Sequence, residues 1–121
     1  MHELSIAQEL IEIVEDAARA ADAARVEVVY LRLGRLSGVV ADALHFAFDV
    51  ATEGTLLEGA TLEIEDLPVI IFCGSCAAEQ PLDDLRSFRC PVCGSPADRV
   101  VQGRELEVRS VEIVENSPTP A

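Results

Sequence analysis

Hydrophobic residues recur at helical spacing near the start of the chain. The stripe runs from about position 4 to 23 and comprises Leu4, Ala7, Leu10, Ile11, Val14, Ala17, Ala18 and Ala21. Acidic side chains such as Glu9 and Glu12 fall mostly on the opposite face, as in a helix that lies on an apolar surface. A second stripe, within ADALHFAFDVAT, comprises Leu44, Ala47, Phe48 and Ala51. The pattern therefore predicts two amphipathic helices.

Other segments alternate with the period of two that a half-buried strand requires. In residues 26–34, Val29, Leu31 and Leu33 share one face, whereas Tyr30 and Arg32 point the other way. Residues 61–66 continue the pattern, with apolar side chains inward and carboxylates outward. These two runs predict two strands of a sheet that packs against the helices.

A third strand is predicted over residues 105–115, with one irregularity. Leu106 and Val108 occupy even-numbered positions, whereas Val111 and Ile113 occupy odd-numbered ones. A regular strand cannot bury both pairs on one face. We therefore predict a β-bulge at Arg109–Ser110, where one extra residue restores the facing.

Two cysteine pairs lie between the second and third of these strands. CGSC holds Cys73 and Cys76, and CPVC holds Cys90 and Cys93, in the spacing C-x2-C-x13-C-x2-C. Two such knuckles supply four thiolates to a tetrahedral Zn²⁺ and leave no position open for substrate, which is typical of a structural site. Two disulfides or a redox pair are the alternatives.

Composition and charge narrow the classes of function. The 121 residues, half of them hydrophobic, suit a small domain that carries a smaller module. The N-terminus resembles no secretion signal and no run is long enough to span a bilayer, so we expect a cytoplasmic protein with reduced cysteines and no membrane partner. The net charge of −13 repels phosphate backbones. A zinc ribbon that binds nucleic acid or serves transcription remains the alternative function.

The first residues, MHELS, offer a second set of metal ligands. The amine of Met1, the main-chain nitrogen and ring of His2, and Glu3 can form adjacent chelate rings. Square-planar nitrogen coordination suits Ni²⁺ and Cu²⁺. The same residues also suit an ordinary helix start, where Glu3 is favourable. We interpret His45, beside the apolar stripe of the second helix, as a partly exposed structural residue, and Asp42 and Asp49 as helix-cap and solvent-face residues.

Taken together, roughly residues 1–115 resemble the HypA/HybF family of hydrogenase nickel-incorporation proteins. The resemblance rests on the MHELS start, LRLGRLSGVV followed by ALHFAFD, GTLLEGATLEIE, the two cysteine knuckles and the GRELEVRSVEI close. It implies a nickel metallochaperone, not an enzyme, that loads Ni²⁺ into the NiFe hydrogenase large subunit. The implied partners are that subunit, a HypB-type GTPase and, in some organisms, urease maturation proteins.

The resemblance also implies an architecture and a set of ligands. The fold is expected to be α+β, with two helices packed on a three-stranded sheet and an inserted zinc-ribbon module that holds its metal with four cysteines. Residues 1–68 with 104–115 would form the nickel-binding domain, 69–103 the zinc domain, and 116–121 a disordered tail.

The ligands carry over residue by residue. His2 matches the essential nickel ligand of the family and Glu3 its neighbour, with the Met1 amine as a further donor. Asp42 is the approximate counterpart of a carboxylate associated with nickel in some relatives. Cys73, Cys76, Cys90 and Cys93 match the structural zinc ligands, and Ni²⁺ would be transiently bound cargo.

Overall fold

Residues 3–116 form two helices and two small sheets. The computed structural model describes residues 3–116, so Met1, His2 and residues 117–121 lie outside the described range. In chain order the elements are α1 (Glu3–Ala20), β1 (Ala23–Gly34), α2 (Ala41–Ala51), β2 (Thr61–Leu67), β3 (Val69–Cys73), β4 (Ala78–Leu82), β5 (Arg99–Gln102) and β6 (Leu106–Glu115). None of the helices in residues 3–116 is long and apolar enough to cross a membrane. The predicted α+β class is confirmed.

Helix α1 buries a narrower stripe than the sequence predicts. Its buried residues are Ile6, Ala7, Leu10, Ile11, Val14 and Ala18. Leu4 is 45% exposed and Ala17 and Ala21 are exposed, so these three predictions were wrong, and the prediction omitted Ile6, which is buried. Leu4 lies in the first turn, at the margin of the stripe, and the helix ends before Ala21. Ala21 and Asp22 form the turn after the helix. Asp22 adopts a left-handed backbone conformation with φ 55°.

The first sheet has the strand order β2-β1-β6, with β1 in the centre. The alternation predicted for β1 is confirmed, since Val29, Leu31 and Leu33 are at most 3% exposed. Tyr30 and Arg32 lie on the other face, where each contacts a carboxylate of β6. The sheet thus has one face for the core and one for polar contacts.

Helices α1 and α2 run side by side in the same direction. The Glu3 carboxylate lies 3.5 Å from the backbone nitrogen of Val40, just before α2. Further along α1, the Glu15 carboxylate accepts a hydrogen bond of 3.0 Å from the backbone of Leu56, just beyond the end of α2. The first contact places the start of α1 beside the start of α2, and the second joins α1 to the loop that follows α2.

Strand β6 supports part of the predicted irregularity. Val108, Val111 and Ile113 all pack against the core built by α1, β1 and α2. The odd separation of Val108 from Val111 requires a change of facing between them, at the position predicted for the bulge. Leu106 was expected to face inward with Val108, but it is 37% exposed.

The chain divides into two compact units. The first takes its described residues from Met1–Leu31, Val39–Ile64 and Val108–Ala121, and the second comprises Arg32–Gly38 and Glu65–Glu107. The second unit contains an antiparallel sheet in the order β4-β3-β5. Its buried core is small and consists of Val69, Ile71, Cys73, Leu82 and Cys90.

Candidate metal centre

The first cysteine knuckle follows directly from the end of β3. Cys73 closes that strand, and the backbone N–H of Cys76 donates to the Cys73 sulfur at 3.4 Å. The turn ends at Ala77, which has φ 53° and donates to the Gly74 carbonyl at 3.3 Å. A Cβ at Gly74 would overlap the Asp98 carboxylate. A side chain at this position would therefore require the Asp98 side chain to move, whereas the backbone of the knuckle could stay in place.

The second knuckle repeats the design on a loop. The Cys90 N–H donates to the Ser95 carbonyl at 2.8 Å, and the Gly94 N–H donates to the Cys90 carbonyl at 2.8 Å. Gly94 has φ 77°, a left-handed conformation that glycine adopts without a side-chain clash. Gly94 thus holds the position that Ala77 holds in the first knuckle.

The four sulfurs are spaced as a tetrahedral site requires. Cys73 Sγ lies 3.5 Å from Cys93 Sγ, and Cys76 Sγ lies 3.9 Å from Cys90 Sγ. A tetrahedron with zinc–sulfur bonds of about 2.3 Å has edges of about 3.8 Å. All four ligand atoms lie within 4.8 Å of one another, and in residues 3–116 no other group of three or more His, Cys, Asp or Glu side chains meets this condition.

The cysteines are free thiols that differ in burial. Cys73 and Cys90 are buried, Cys76 is half-buried and Cys93 is exposed. The two buried sulfurs belong to the core of the second unit. Loss of a metal at this site would therefore alter the packing of that core as well as the surface.

The thiols influence one another's ionisation. Contact with the Cys93 and Cys73 thiols, followed by burial, raises the pKa of Cys76 to about 12. The pKa of Cys93 falls to about 6, chiefly because the side chain of Ser95 and then its backbone N–H donate to the sulfur. The N–H of Cys76 is the largest influence on Cys73 and lowers its pKa, but burial with the neighbouring thiols produces a net rise.

These opposed shifts of Cys73, Cys76 and Cys93 describe thiols that compete for negative charge in a small space. A divalent cation between them favours the thiolate at every position, because coordination requires deprotonated sulfur. Zn²⁺ suits four sulfur ligands in this geometry. The cluster thus fits the predicted zinc site in ligand type, number and spacing.

The residues predicted to bind nickel are only partly within the described range. Met1 and His2 lie outside it. Glu3 is half-buried at the start of α1, and its carboxylate accepts from the Val40 N–H at 3.5 Å. Val40 is the N-cap of α2 and receives no cap from its own side chain, and Asp42 is in the first turn of the same helix. Glu3, which belongs to α1, therefore reaches the N-terminal end of α2, and Asp42 lies in the first turn at that same end.

One interpretation of α2 needs correction. Asp42 was expected to cap this helix, but the helix begins one residue earlier and its N-cap, Val40, has no side-chain cap hydrogen bond. Instead a residue 37 positions away, Glu3, reaches the Val40 N–H. His45 and Asp49 are both exposed on this helix, in line with the expected exposure of His45 and the solvent-face position expected for Asp49.

Sequence reasoning missed Ser95 and the amide of Val40. Ser95 directly follows the Cys93–Gly94 turn, so its N–H and hydroxyl meet the sulfur. Its position two residues after a knuckle cysteine was a usable signal. No local signal marks Val40, because its contact depends on how α1 packs beside α2.

Comparison with known proteins identifies the family. The family model described as "Hydrogenase/urease nickel incorporation, metallochaperone, hypA" matches residues 1–113. The chain belongs to the HypA family. It is 55% identical over 118 residues to the hydrogenase maturation factor HypA of Roseiflexus sp. (strain RS-1), covering 98% of this chain and 96% of that protein. The corresponding factor of Chloroflexus aurantiacus is 53% identical over 112 residues, which is 93% of this chain and 98% of that factor.

Solved structures agree with this placement. The solution structure of the Ni metallochaperone HypA from Helicobacter pylori has a TM-score of 0.68 and 28% identity, over 96% of this chain and all of that one (100%). A second solution structure of HypA gives a TM-score of 0.69 at 28% identity, over 96% and 98% of the two chains. The HypA family consists of metallochaperones that act in nickel incorporation, so the prediction of a protein that is not an enzyme is confirmed.

Proposed function

We propose that this chain carries Ni²⁺ as cargo at its N-terminus and assists its insertion into the large subunit of NiFe hydrogenase. The proposed nickel ligands are the His2 ring and main chain with Glu3, supplemented by the Met1 amine and the Asp42 carboxylate. Family membership over residues 1–113 supports the nickel-related role. The observation that carries the ligand assignment is the contact of Glu3 with the start of α2.

The Glu3 contact bears on nickel because it fixes the residue that follows His2. With Glu3 held at Val40 and Asp42 in the first turn of α2, a metal bound by His2 would have a second carboxylate at the same end of the helix. Nitrogen donors from the chain terminus favour Ni²⁺ over Zn²⁺. Such an open site, built on few residues, suits a carrier that must release its metal.

The cysteine cluster has the opposite character. Four sulfurs complete a tetrahedron and leave no exchangeable position. We propose that Cys73, Cys76, Cys90 and Cys93 hold a structural Zn²⁺ in a zinc domain of residues 69–103. Residues 1–68 with 104–115 would form the nickel-binding domain.

The proposed partners follow from the hydrogenase and urease role of the family. They are the hydrogenase large subunit, a HypB-type GTPase and urease maturation proteins. Four free thiols at a metal site suit a reducing compartment, so we propose that the protein works in the cytoplasm.

Nickel titration of the zinc-loaded protein tests the ligand assignment. Metal analysis after gel filtration should find a single nickel and a single zinc per chain. The His2→Ala variant should lose nickel and keep zinc, and Asp42→Asn should bind nickel more weakly. His45→Ala is the matched control, since it removes the other histidine from an exposed position on α2.

Two outcomes would overturn the assignment. One is undiminished nickel stoichiometry and affinity in His2→Ala. The other is nickel that displaces zinc, which thiolate-to-nickel charge-transfer absorption would reveal.

A further inference from the structure

The outer face of α2 carries apolar side chains that the described part of the chain, residues 3–116, leaves open to solvent. Phe46 is 73% exposed and Val50 is 50% exposed. They are four positions apart and so lie one above the other on the helix surface. The opposite face is buried through Leu44, Ala47 and Phe48. Helix α2 is therefore apolar on two sides, and only one of them serves the core.

Carboxylates flank this exposed apolar pair. Asp49 is three positions from Phe46 on the same face, and Glu53 follows in the turn after the helix; both are exposed. We call Phe46, Asp49, Val50 and Glu53 the α2 strip. A large exposed aromatic side chain with a charged border is typical of a protein interaction site.

The acidic residues of the strip are unfavourable for the helix itself. The C-terminal end of a helix carries partial negative charge and favours cations. Helix α1 meets this preference with Arg19, whereas the last turn of α2 contains no basic residue. Asp49 and Glu53 add negative charge where the helix already has it. A cation from another molecule would therefore be attracted both by the partial negative charge of the helix end and by these two carboxylates.

A second copy of this chain does not fit the strip. Each chain carries a net charge of −13, and a symmetric contact would place Asp49 and Glu53 against carboxylates of the other copy. The complement of the strip is a segment with apolar side chains on one face and Lys or Arg along its edges. We propose that the α2 strip is the docking surface for a basic amphipathic helix of a partner protein.

A synthetic amphipathic helix, with leucines on one face and lysines and arginines along the edges, is the probe. Fluorescence anisotropy measures its affinity for the full zinc-loaded chain, and amide chemical shifts locate the contact. We expect shifts centred on residues 46–53 and binding that weakens as salt screens the charges. Phe46→Ala should weaken binding by about tenfold or more, as for a central aromatic anchor.

Matched controls lie on α1, where Ile13 is 60% exposed and Asp16 is also exposed. Ile13→Ala and Asp16→Asn should leave binding within about twofold, whereas Asp49→Asn with Glu53→Gln should weaken it and flatten its salt dependence. A peptide with the same leucines and glutamates at its edges should not bind.

Several results would overturn the proposal. They are equal losses in the α1 and α2 variants, shifts centred outside α2, equal binding of the acidic peptide, or a dimer that forms through Phe46 in analytical ultracentrifugation. Zinc and nickel contents of the Phe46→Ala protein should equal those of the unmodified chain. The docking result therefore stands or falls separately from the nickel assignment.

Discussion

Tyr30 is the single tyrosine of the chain and reports on the outer face of the first sheet. Its hydroxyl donates to the Glu112 carboxylate at 2.7 Å. That hydrogen bond is the main reason that the pKa of Tyr30 is raised from 10.0, with smaller contributions from reduced contact with water and from the charges of Glu112 and Glu63. Arg109 opposes the shift. The hydroxyl thus holds its proton more tightly in the folded chain.

We expect tyrosinate absorbance to titrate above pH 10.0 in the folded protein. Glu112→Gln should move the midpoint back toward that value, whereas Glu115→Gln, on the same strand, should not. Because the folded pKa is raised, the stability from this hydrogen bond is fully present below the unfolded pKa. It is lost as the pH rises through the folded pKa. An unchanged midpoint in Glu112→Gln would contradict this account.

Gly34 and Gly94 are required for different reasons. Gly34 leaves room for a neighbouring backbone, whereas Gly94 adopts a left-handed backbone conformation. A Cβ at Gly34 would overlap the backbone carbonyl of Gly103, whereas at Gly94 it would meet nothing within 4 Å. We expect Gly34→Ala to lower the free energy of unfolding by about 3 kcal/mol or more, since backbone must move. Gly94→Ala should cost only about 1 kcal/mol for its left-handed backbone. Urea unfolding measures both, and equal costs would refute the distinction.

At the scale of elements, the turn between α1 and β1 is tied to the end of β6. The Asp22 carbonyl accepts the backbone N–H of Asn116 at 3.0 Å. The Asp22 carboxylate accepts the Asn116 side-chain amide at 3.1 Å. Asn116 was the first residue of the tail expected to be disordered, and these bonds hold it to Asp22. These two hydrogen bonds anchor the C-terminal end of β6 to the turn between α1 and β1.

Asn116→Ala should destabilise the protein by about 0.5–1 kcal/mol, because it removes the side-chain hydrogen bond and keeps the backbone one. A chain that ends at Glu115 loses both bonds and should be less stable than one that ends at Asn116. Hydrogen exchange of the last β6 amides would localise the effect. Equal stability of the two shortened chains would show that the two hydrogen bonds between Asn116 and Asp22 contribute nothing to stability.

Local patterns predicted both helices and the three strands of the first sheet because their causes are local, whereas β3, β4 and β5 were not predicted as strands. The alternation in β1 and the buried face of α2 need only the periodicity of apolar residues, and the cysteine spacing predicted the sulfur cluster. The left-handed Asp22, the cap of α2 by Glu3 and the exposure of Leu4 depend on packing between distant segments. No window of the sequence contains that information.

At the scale of the whole molecule, the two units differ in how much core they have. The hydrophobic core cluster of the second unit contains five buried residues, two of them cysteines of the metal site. The first buries residues from both helices and two strands. A core as small as that of the second unit needs a metal or disulfides for stability. Its folding should therefore depend on zinc.

Zinc removal should unfold the second unit first. A strong chelator should abolish hydrogen-exchange protection in β3, β4 and β5 while the helical circular dichroism of α1 and α2 persists, and added zinc should restore the protection. Loss of helical signal at the same chelator concentration would indicate one cooperative unit. Unchanged protection after metal loss would exclude a structural role for the metal.

The number of residues between two contacting positions also influences the order in which contacts form as the chain folds. Cys73 and Cys93 are 20 positions apart, whereas Tyr30 and Glu112 are 82 apart. Contacts between near neighbours form sooner. We expect the cysteines to come together and capture zinc before β6 has paired with β1. The proposed zinc site would thus be complete while the proposed nickel-binding domain still lacks its last strand.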